Sequence, residues 1–325
     1  MSRFLLLLAL LSMFSLAPAL IERLTDATPR WRIRLLAAAI VGLVSAWAGV
    51  LAGAFLPEVL TAARFSDLLR VCSEGFHSIT SDPVARFPSL LGGVLLAALI
   101  GRLIWGLAAG VSRTRRARVT GGRPRWFLRG GRPVYVVPSG LAEAYCVGCV
   151  RPQVVVTEEM LAVLDEDEQR AVLLHEEGHA TAHHQLLLLV ARAVHGALRP
   201  LPYAGRALRL LEQALEESAD EYAALVIGDR AIVASGLSKA ALASLQRSTA
   251  VLAMDGGPDV PARVRRLLYV RETPRWVRLT CAAVFSALLG GFALTQAVAG
   301  LALLAAVHHF LGVGAVMSCP LIKRS

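Results

Sequence analysis

The chain lacks several residue types and motifs that define common protein classes. It has 325 residues, no asparagine, only two lysines and five cysteines. Without asparagine it has no N-glycosylation sequon, and its five cysteines do not form the framework of a disulfide-stapled secreted domain. Neither a phosphate-binding loop nor a serine-nucleophile motif occurs in the sequence. These absences disfavour a P-loop nucleotide-binding protein and a serine hydrolase.

The cysteines give little support to a redox or metal function. Cys146 and Cys149 form a single C-x-x-C with no second pair and no thioredoxin-like surroundings, so we expect small buried residues there. Cys72 and Cys319 would both face outward in the topology derived below. A disulfide between these two residues is the alternative.

Apolar residues, in contrast, are abundant. They make up 55% of the chain, and the mean hydropathy of +0.57 is too high for an ordinary soluble protein. A bilayer-spanning helix needs about 20 residues, and four apolar stretches are candidates: 4–20, 33–56, 90–111 and 279–308. The first also has features of a cleaved signal peptide. The last fits one long tilted helix or a hairpin broken at its glycines, and we predict one helix.

Arginines flank these stretches asymmetrically and predict an orientation. Residues 21–34 and 113–132 are rich in arginine, whereas residues 57–88 are mixed in sign. Because positively charged loops stay in the cytoplasm, we expect residues 112–278 to be cytoplasmic and the N-terminus to lie outside. The net charge of +10 then fits anionic lipid better than direct binding of nucleic acid.

The most informative motif is H-E-x-x-H, which occurs as H-E-E-G-H at residues 175–179. On a helix, positions four apart share a face, so His175 and His179 can present two imidazoles to one Zn²⁺. Glu176 can then act as the general base on a water molecule. The alternative is an ordinary helix in which these side chains have no shared role.

A third protein ligand would leave zinc one open position for water. The segment 205–227 also has a helical pattern, and within it Glu216 and Asp220 are four residues apart on one face. We take Glu216 as the third ligand and Asp220 as the acceptor that fixes the tautomer of a ligand histidine. The alternative is a solvated acidic face, because several carboxylates crowd together in this segment.

Two β-like segments precede the motif helix. We predict strands at 132–138 and 152–156 and a helix over 168–194. In a zinc protease an edge strand can pair with an extended substrate and present its scissile carbonyl.

Three further histidines, His183, His184 and His195, are alternative ligands. His183 continues the four-residue spacing, but it would lie one turn too far along the helix to share a tetrahedral site with His175. We therefore expect these histidines at the surface or in support of the ligands.

Four segments carry a resemblance to a known family: A-Y-C-V-G at 144–148, R-P-Q-V-V-V-T at 151–157, A-V-L-L-H-E at 171–176 and H-H at 183–184. Together they resemble the BlaR/MecR antirepressor family of membrane metallopeptidases, and most of all its short actinobacterial-type members. Those proteins are similar to the HtpX and CaaX prenyl protease groups in their zinc motif. The resemblance spans roughly residues 90–235, which is under half of the chain.

The resemblance implies several roles. In these groups the third ligand is the glutamate of a Glu-x-x-x-Asp motif, which matches Glu216 and Asp220. It also implies that the first apolar stretch is retained as a helix. The segment beginning at Arg263 resembles an R-[IV]-x-x-L stretch found after the catalytic core in related membrane proteases, although we expect a solvated basic flank there. His184 and Cys149 depart from the family, where aspartate and leucine are more usual.

The predicted fold is mainly α, a multi-pass membrane protein with a zincin-like α+β metalloprotease domain inserted between transmembrane helices. Residues 1–111 would hold three helices at about 4–20, 33–56 and 90–111, and residues 112–278 the cytoplasmic protease domain. Residues 279–325 would form a C-terminal transmembrane helix and a short tail, which leaves no room for an extracellular β-lactam-binding sensor domain.

The predicted function is that of an integral membrane zinc endopeptidase with one Zn²⁺ per chain. His175, His179 and Glu216 would bind the metal, Glu176 would be catalytic, and Asp220 would support a ligand. The resemblance implies regulated proteolysis of a cytoplasmic transcriptional repressor. One alternative is an HtpX-like quality-control protease. The other is a non-enzymatic membrane signalling protein with a structural zinc.

Overall fold

The structure is a computed structural model. It describes the residues 2–24, 27–62, 83–118, 124–128, 131–199, 201–245, 259–269 and 273–316.

Long apolar helices form both ends of the described chain. They are α1 (Ser2–Arg23), α2 (Pro29–Ala62), α3 (Pro83–Arg116) and, after the compact middle segment, the last helix, Arg275–Val316. That last helix is continuous over its 42 residues, so the prediction of one helix rather than a hairpin is confirmed. It is numbered α10 below.

Three of these helices contain segments long and apolar enough to cross a membrane. The segments are Pro29–Ala52, Leu91–Arg116 and Arg275–Ala297, found among the described residues. They overlap the predicted spans at 33–56, 90–111 and 279–308. The first predicted span, 4–20, lies within α1, which is not among these three segments.

A small sheet precedes the motif helix. Its strands are β1 (Trp126–Leu128), β2 (Arg132–Val137), β3 (Ala144–Val147) and β4 (Gln153–Thr157). Their order is β1-β2-β4-β3, with β2 and β4 parallel and the two outer pairs antiparallel. The predictions of β2 and β4 are confirmed, whereas β1 and β3 were not predicted. Strand β3 lies at the edge of the sheet, on the side of the motif helix.

Among the described residues, six helices lie between the sheet and α10. They are α4 (Glu158–Val163), α5 (Glu166–Thr181), α6 (His184–Ala197), α7 (Pro202–Ile227), α8 (Arg230–Leu245) and α9 (Val260–Leu268). Helix α5 carries the H-E-x-x-H motif. It begins at a capping box in which Asp165 accepts from the backbone N–H of Glu168, and the side chain of Glu168 accepts from the backbone N–H of Asp165.

The prediction of a single helix over 168–194 is wrong, because the helix is interrupted between α5 and α6. His183 adopts a left-handed conformation with φ of 52°, which an L-residue other than glycine seldom adopts. Helix α6 therefore starts in a new direction and turns back along α3.

Small residues allow α3 and α6 to approach closely. A Cβ atom on Gly106 would lie 3.1 Å from the Cα atom of Ala193, and one on Gly110 would collide with the side chain of Leu189. These glycines are four residues apart and share one face of α3. Helix α6 is thus packed directly onto an apolar helix that is a candidate membrane span.

The largest apolar core joins the apolar helices to α6 and α7. Leu35 and Leu36 of α2 are fully buried in it, together with Leu211 and Leu215 of α7. Complete burial of a leucine side chain contributes roughly 1.5–3 kcal/mol, so this packing fixes α7 against α2. A second, smaller core lies under the sheet around Val134 and Val154.

Candidate metal centre

Helices α5 and α7 meet at a glycine within the H-E-x-x-H motif. A Cβ atom on Gly178 would lie 3.2 Å from the Cα atom of Ala219 and 3.2 Å from the Cβ atom of Tyr222. A side chain at this motif position would push α7 away. Gly178 therefore allows the acidic residues of α7 to reach the histidines of α5.

Three side chains converge where these helices meet. The Nε2 atoms of His175 and His179 are 3.1 Å apart, and they lie 3.4 Å and 3.6 Å from the two carboxylate oxygens of Glu216. Among the described residues these three form a group able to hold a metal ion. Zinc–nitrogen and zinc–oxygen bonds of about 2.0–2.1 Å place tetrahedral donors about 3.3 Å apart, so the spacing and the donor chemistry both fit zinc.

The other ring nitrogen of each histidine has its own partner. Nδ1 of His175 lies 2.9 Å from a carboxylate oxygen of Asp220. Nδ1 of His179 lies 2.9 Å from Nδ1 of His184, the first residue of α6. Both Nε2 atoms are therefore directed toward Glu216, and partners of this kind fix ring orientation and tautomer in metal sites.

Arg263 of α9 contacts two carboxylates of the cluster. It donates two hydrogen bonds to Asp220, at 2.8 Å and 2.7 Å, and its Nη1 atom lies 3.2 Å from Glu216. Only 6% of this side chain is exposed. The expectation of a solvated basic flank is wrong for Arg263, because a buried ion pair across 43 residues of sequence draws it into the site.

The carboxylates of the cluster favour the protonated form of His175 in the absence of a metal. Burial disfavours the protonated form of His175, but the hydrogen bonds that its ring donates to Asp220 and Glu216 outweigh this effect and raise its pKa to about 10. Burial also opposes ionisation of Glu216, yet its contacts with His175 and His179 hold its pKa well below the usual value. The same arrangement of carboxylates and imidazoles attracts a divalent cation.

A cavity of about 440 Å³ opens onto these residues. His175, Glu176 and Glu216 line one end of it, and Tyr145 of β3 lines the side. The remaining wall is mostly apolar and includes Met160, Val172, Val233, Leu237 and Ala240, and Arg263 of α9 also lines the cavity. The cluster is therefore accessible from a pocket with an apolar lining next to an edge strand.

The remaining sequence candidates lie elsewhere. His183 and His195 are not members of the three-residue donor group. Cys146 is buried, as expected, whereas Cys149 is half-buried; both are free cysteines. Cys72 and Cys319 lie outside the described residues. His184 contacts the motif residue His179, which is the supporting role that was one of the two expectations for it, although the contact itself depends on the unpredicted break at His183.

Comparison with known proteins agrees with this picture. No curated protein and no solved structure shows significant similarity to the chain. Residues 129–271 match peptidase family M48. This family consists of metallopeptidases, and the match covers less than half of the chain. The matched segment contains strands β2 to β4, the H-E-x-x-H helix, Glu216, Asp220 and Arg263.

Proposed function

We propose that this protein is an integral membrane zinc endopeptidase. The observation that carries the proposal is the convergence of His175, His179 and Glu216 beside a cavity that His175 and Glu216 line. A structural zinc site is usually closed by four protein ligands, whereas a catalytic site has three and keeps one position open. The three-donor group and its access to the cavity favour the catalytic type over a non-enzymatic protein with structural zinc.

The residues present fit one zinc ion held by two imidazole nitrogens and one carboxylate. When bound, zinc supplies Lewis-acid chemistry, which polarises a peptide carbonyl and lowers the pKa of a water molecule. Asp220 would accept from Nδ1 of His175 and hold the Nε2 atom of that ring free for the metal. Arg263 would in turn hold Asp220 through two hydrogen bonds.

Glu176 is proposed as the general base and acid. It follows the first motif histidine and lies at the cavity wall beside His175 and Glu216. Its carboxylate would accept a proton from the attacking water and then deliver that proton to the amide nitrogen of the leaving group. Neither proton transfer requires Glu176 to be a metal ligand.

Substrate binding is proposed at the edge strand β3. This strand pairs with β4 on one side, for example Tyr145 with Val155, and it is the terminal strand of the sheet. An extended peptide could add to such an edge through backbone hydrogen bonds. Tyr145 also lines the cavity, so a side chain of that peptide would enter a mostly apolar pocket.

The cellular role follows from the apolar helices and the arginine distribution. We place residues 112–278 on the cytoplasmic side, inserted between transmembrane helices, and infer a protein substrate in the cytoplasm or at the membrane surface. A transcriptional repressor, cleaved in regulated proteolysis, is the first candidate. The second is quality control of membrane proteins, as in HtpX-type proteases, which the M48 match and the apolar pocket both support.

Comparison of cellular proteomes tests the proposal. Cells that express the wild type should contain cleavage products absent from cells with Glu176→Gln, which removes proton transfer but no ligand. The matched control is Glu166→Gln, the same change at an exposed position of the same helix. A truncated DNA-binding protein among the products would favour the repressor, and many fragments of membrane proteins would favour quality control. Identical product sets from wild type and Glu176→Gln would refute the enzymatic function.

A further inference from the structure

Glu217, the neighbour of the proposed ligand Glu216, lies at the centre of a buried ion-pair network. Its two carboxylate oxygens accept from Nη1 of Arg32 at 3.0 Å and 2.8 Å. Gln213, one turn earlier on α7, donates to the same carboxylate at 3.0 Å. Nη1 of Arg266 on α9 lies 3.0 Å from it.

The pair between Arg32 and Glu217 connects two distant parts of the chain. Arg32 lies in the first turns of α2, a candidate membrane span, and is separated from Glu217 by 185 residues. The side chains are only 8% and 5% exposed. A charge pair that is shielded from water in this way is held in one geometry by its surroundings.

Apolar packing between α2 and α7 supports this connection. Leu211 and Leu215 are buried in one cluster with Leu35 and Leu36 of α2. The ion pair therefore adds to an apolar contact between α2 and α7. Because Glu216 and Glu217 are adjacent, a rotation or shift of α7 that broke the pair would also move Glu216.

We infer that Arg32 is a positioning residue for the metal centre: through Glu217 it fixes the rotation of α7 and thereby the place of Glu216. The inference rests on the proposed function, since it assumes that Glu216 is a zinc ligand. It assigns to the N-terminal end of an apolar helix a role in a site formed by other elements. In physical terms, the placement of α2 and the geometry of the donor group are coupled.

A second ion pair between the same groups of helices offers a natural control. Arg206 of α7 donates to Glu22 of α1 at 2.8 Å, so it also joins α7 to an apolar helix. The side chains of Arg206 and Glu22, however, are 44% and 46% exposed. Exposed pairs of this type contribute little, and Arg206 lies almost three turns from Glu216.

Zinc affinity of the full chain in detergent micelles, measured by competition with a chelator, tests the inference. Arg32→Met should weaken zinc binding by about tenfold or more, as loss of a group that orients a ligand does. Arg32→Lys keeps the charge but replaces the planar guanidinium with a differently shaped ammonium group, and its zinc affinity should lie between those of Arg32→Met and the wild type. Arg206→Met should bind zinc as the wild type does.

Two further variants separate positioning from a general loss of stability. Val134→Ala, in the core under the sheet, should lower the melting temperature of the metal-free protein without changing zinc affinity. Glu217→Gln should weaken zinc binding, and the effect of the double variant with Arg32→Met should be less than the product of the two single effects. Arg32→Lys is the variant to use if Arg32→Met does not fold.

The outcomes distinguish this inference from the proposed function. If the wild type binds zinc and both Arg32 variants bind it equally well, Arg32 is not a positioning residue and the proposed function stands. If the wild type binds zinc no better than His175→Ala, the metal centre itself is refuted. If Val134→Ala weakens zinc binding as much as Arg32→Met does at equal loss of melting temperature, the effect is one of stability and the inference is overturned.

Discussion

The Nδ1 atoms of His179 and His184 lie 2.9 Å apart, across the break between α5 and α6. Only one of the two nitrogens can donate a proton in this contact. Burial and the nearby His179 lower the pKa of His184 to about 3, so His184 is neutral at pH 7 and can accept. His179 then carries its proton on Nδ1 and has Nε2 free, which is the tautomer that a metal ligand requires.

Replacement of His184 should therefore weaken zinc binding. We expect His184→Ala to lower zinc affinity by about 10–100-fold, the usual effect of removing a group that orients a ligand. His184→Asp should stay close to the wild type, because its carboxylate can accept from Nδ1 of His179. His183→Asn is the control, since asparagine tolerates the left-handed conformation at that position. Equal affinities for His184→Ala and the wild type, in chelator competition, would contradict the assigned contact.

The donor group predicts the metal content of the purified protein. We expect about one zinc per chain, held by two imidazoles and one carboxylate. Elemental analysis of His175→Ala, His179→Ala and Glu216→Ala should each show a sharp loss. Glu212→Ala, one turn earlier on α7, should retain the metal. Full zinc retention in Glu216→Ala would move the third ligand to another carboxylate of α7.

A buried carboxylate at the start of α5 predicts a pH-dependent part of the stability. Burial alone would raise the pKa of Glu168, but hydrogen bonds from Lys239 and Ser235, each 2.6 Å long, lower it from 4.5 to about 2. A depressed pKa contributes stability above about pH 4.5, and this contribution is lost as the pH falls toward 2. Lys239→Met should therefore be less stable than the wild type at pH 7.

The difference between the wild type and Lys239→Met should shrink between pH 4.5 and pH 2. Melting temperatures of both proteins, measured at pH 7, 4 and 3, report this difference. Excess chelator removes any contribution from bound metal. Arg170→Met, a change at an exposed position of α5, should show no such trend. A gap that stays constant over this range would mean that Lys239 stabilises the helix by packing rather than by charge.

The arginine distribution predicts which side of the membrane the metal centre faces. Moving an arginine through the hydrocarbon costs about 2.5–3.5 kcal/mol at the centre of a helix, so the segment between Arg113 and Arg132 should remain in the cytoplasm. A reporter active only in the cytoplasm should be on when fused near Gly256 and off when fused near Ser81. The reverse pattern would place the site outside the cell and would exclude a cytoplasmic repressor as substrate.

Elements and site residues that have a local sequence pattern could be predicted from the sequence. The β-like, valine-rich segments predict β2 and β4, and the spacing of His175 and His179 predicts their shared face. The pair Glu216 and Asp220 could likewise be selected by its four-residue spacing. The structure brings all four residues together, with Asp220 on Nδ1 of His175 as expected.

Features that depend on tertiary contacts could not be predicted from the sequence. The break at His183 has no glycine or proline to signal it, and the leucines that follow continue an apolar helical pattern. Strand β1 is only three residues long and β3 only four, too short to show a period. Arg263 looks like any arginine beside a membrane, and its burial follows from partners on α7.

The turn at His183 also determines whether residues 112–278 can be expressed without the apolar helices. By sending α6 back along α3, it lays Ala193 against Gly106 and makes the long apolar helices part of the same core as α7. Cutting the chain between residues 111 and 112 would strip that core and leave its leucines facing water. We therefore expect residues 112–278, expressed alone, to aggregate. Biochemical work on the metal centre will need the intact chain in micelles or lipid.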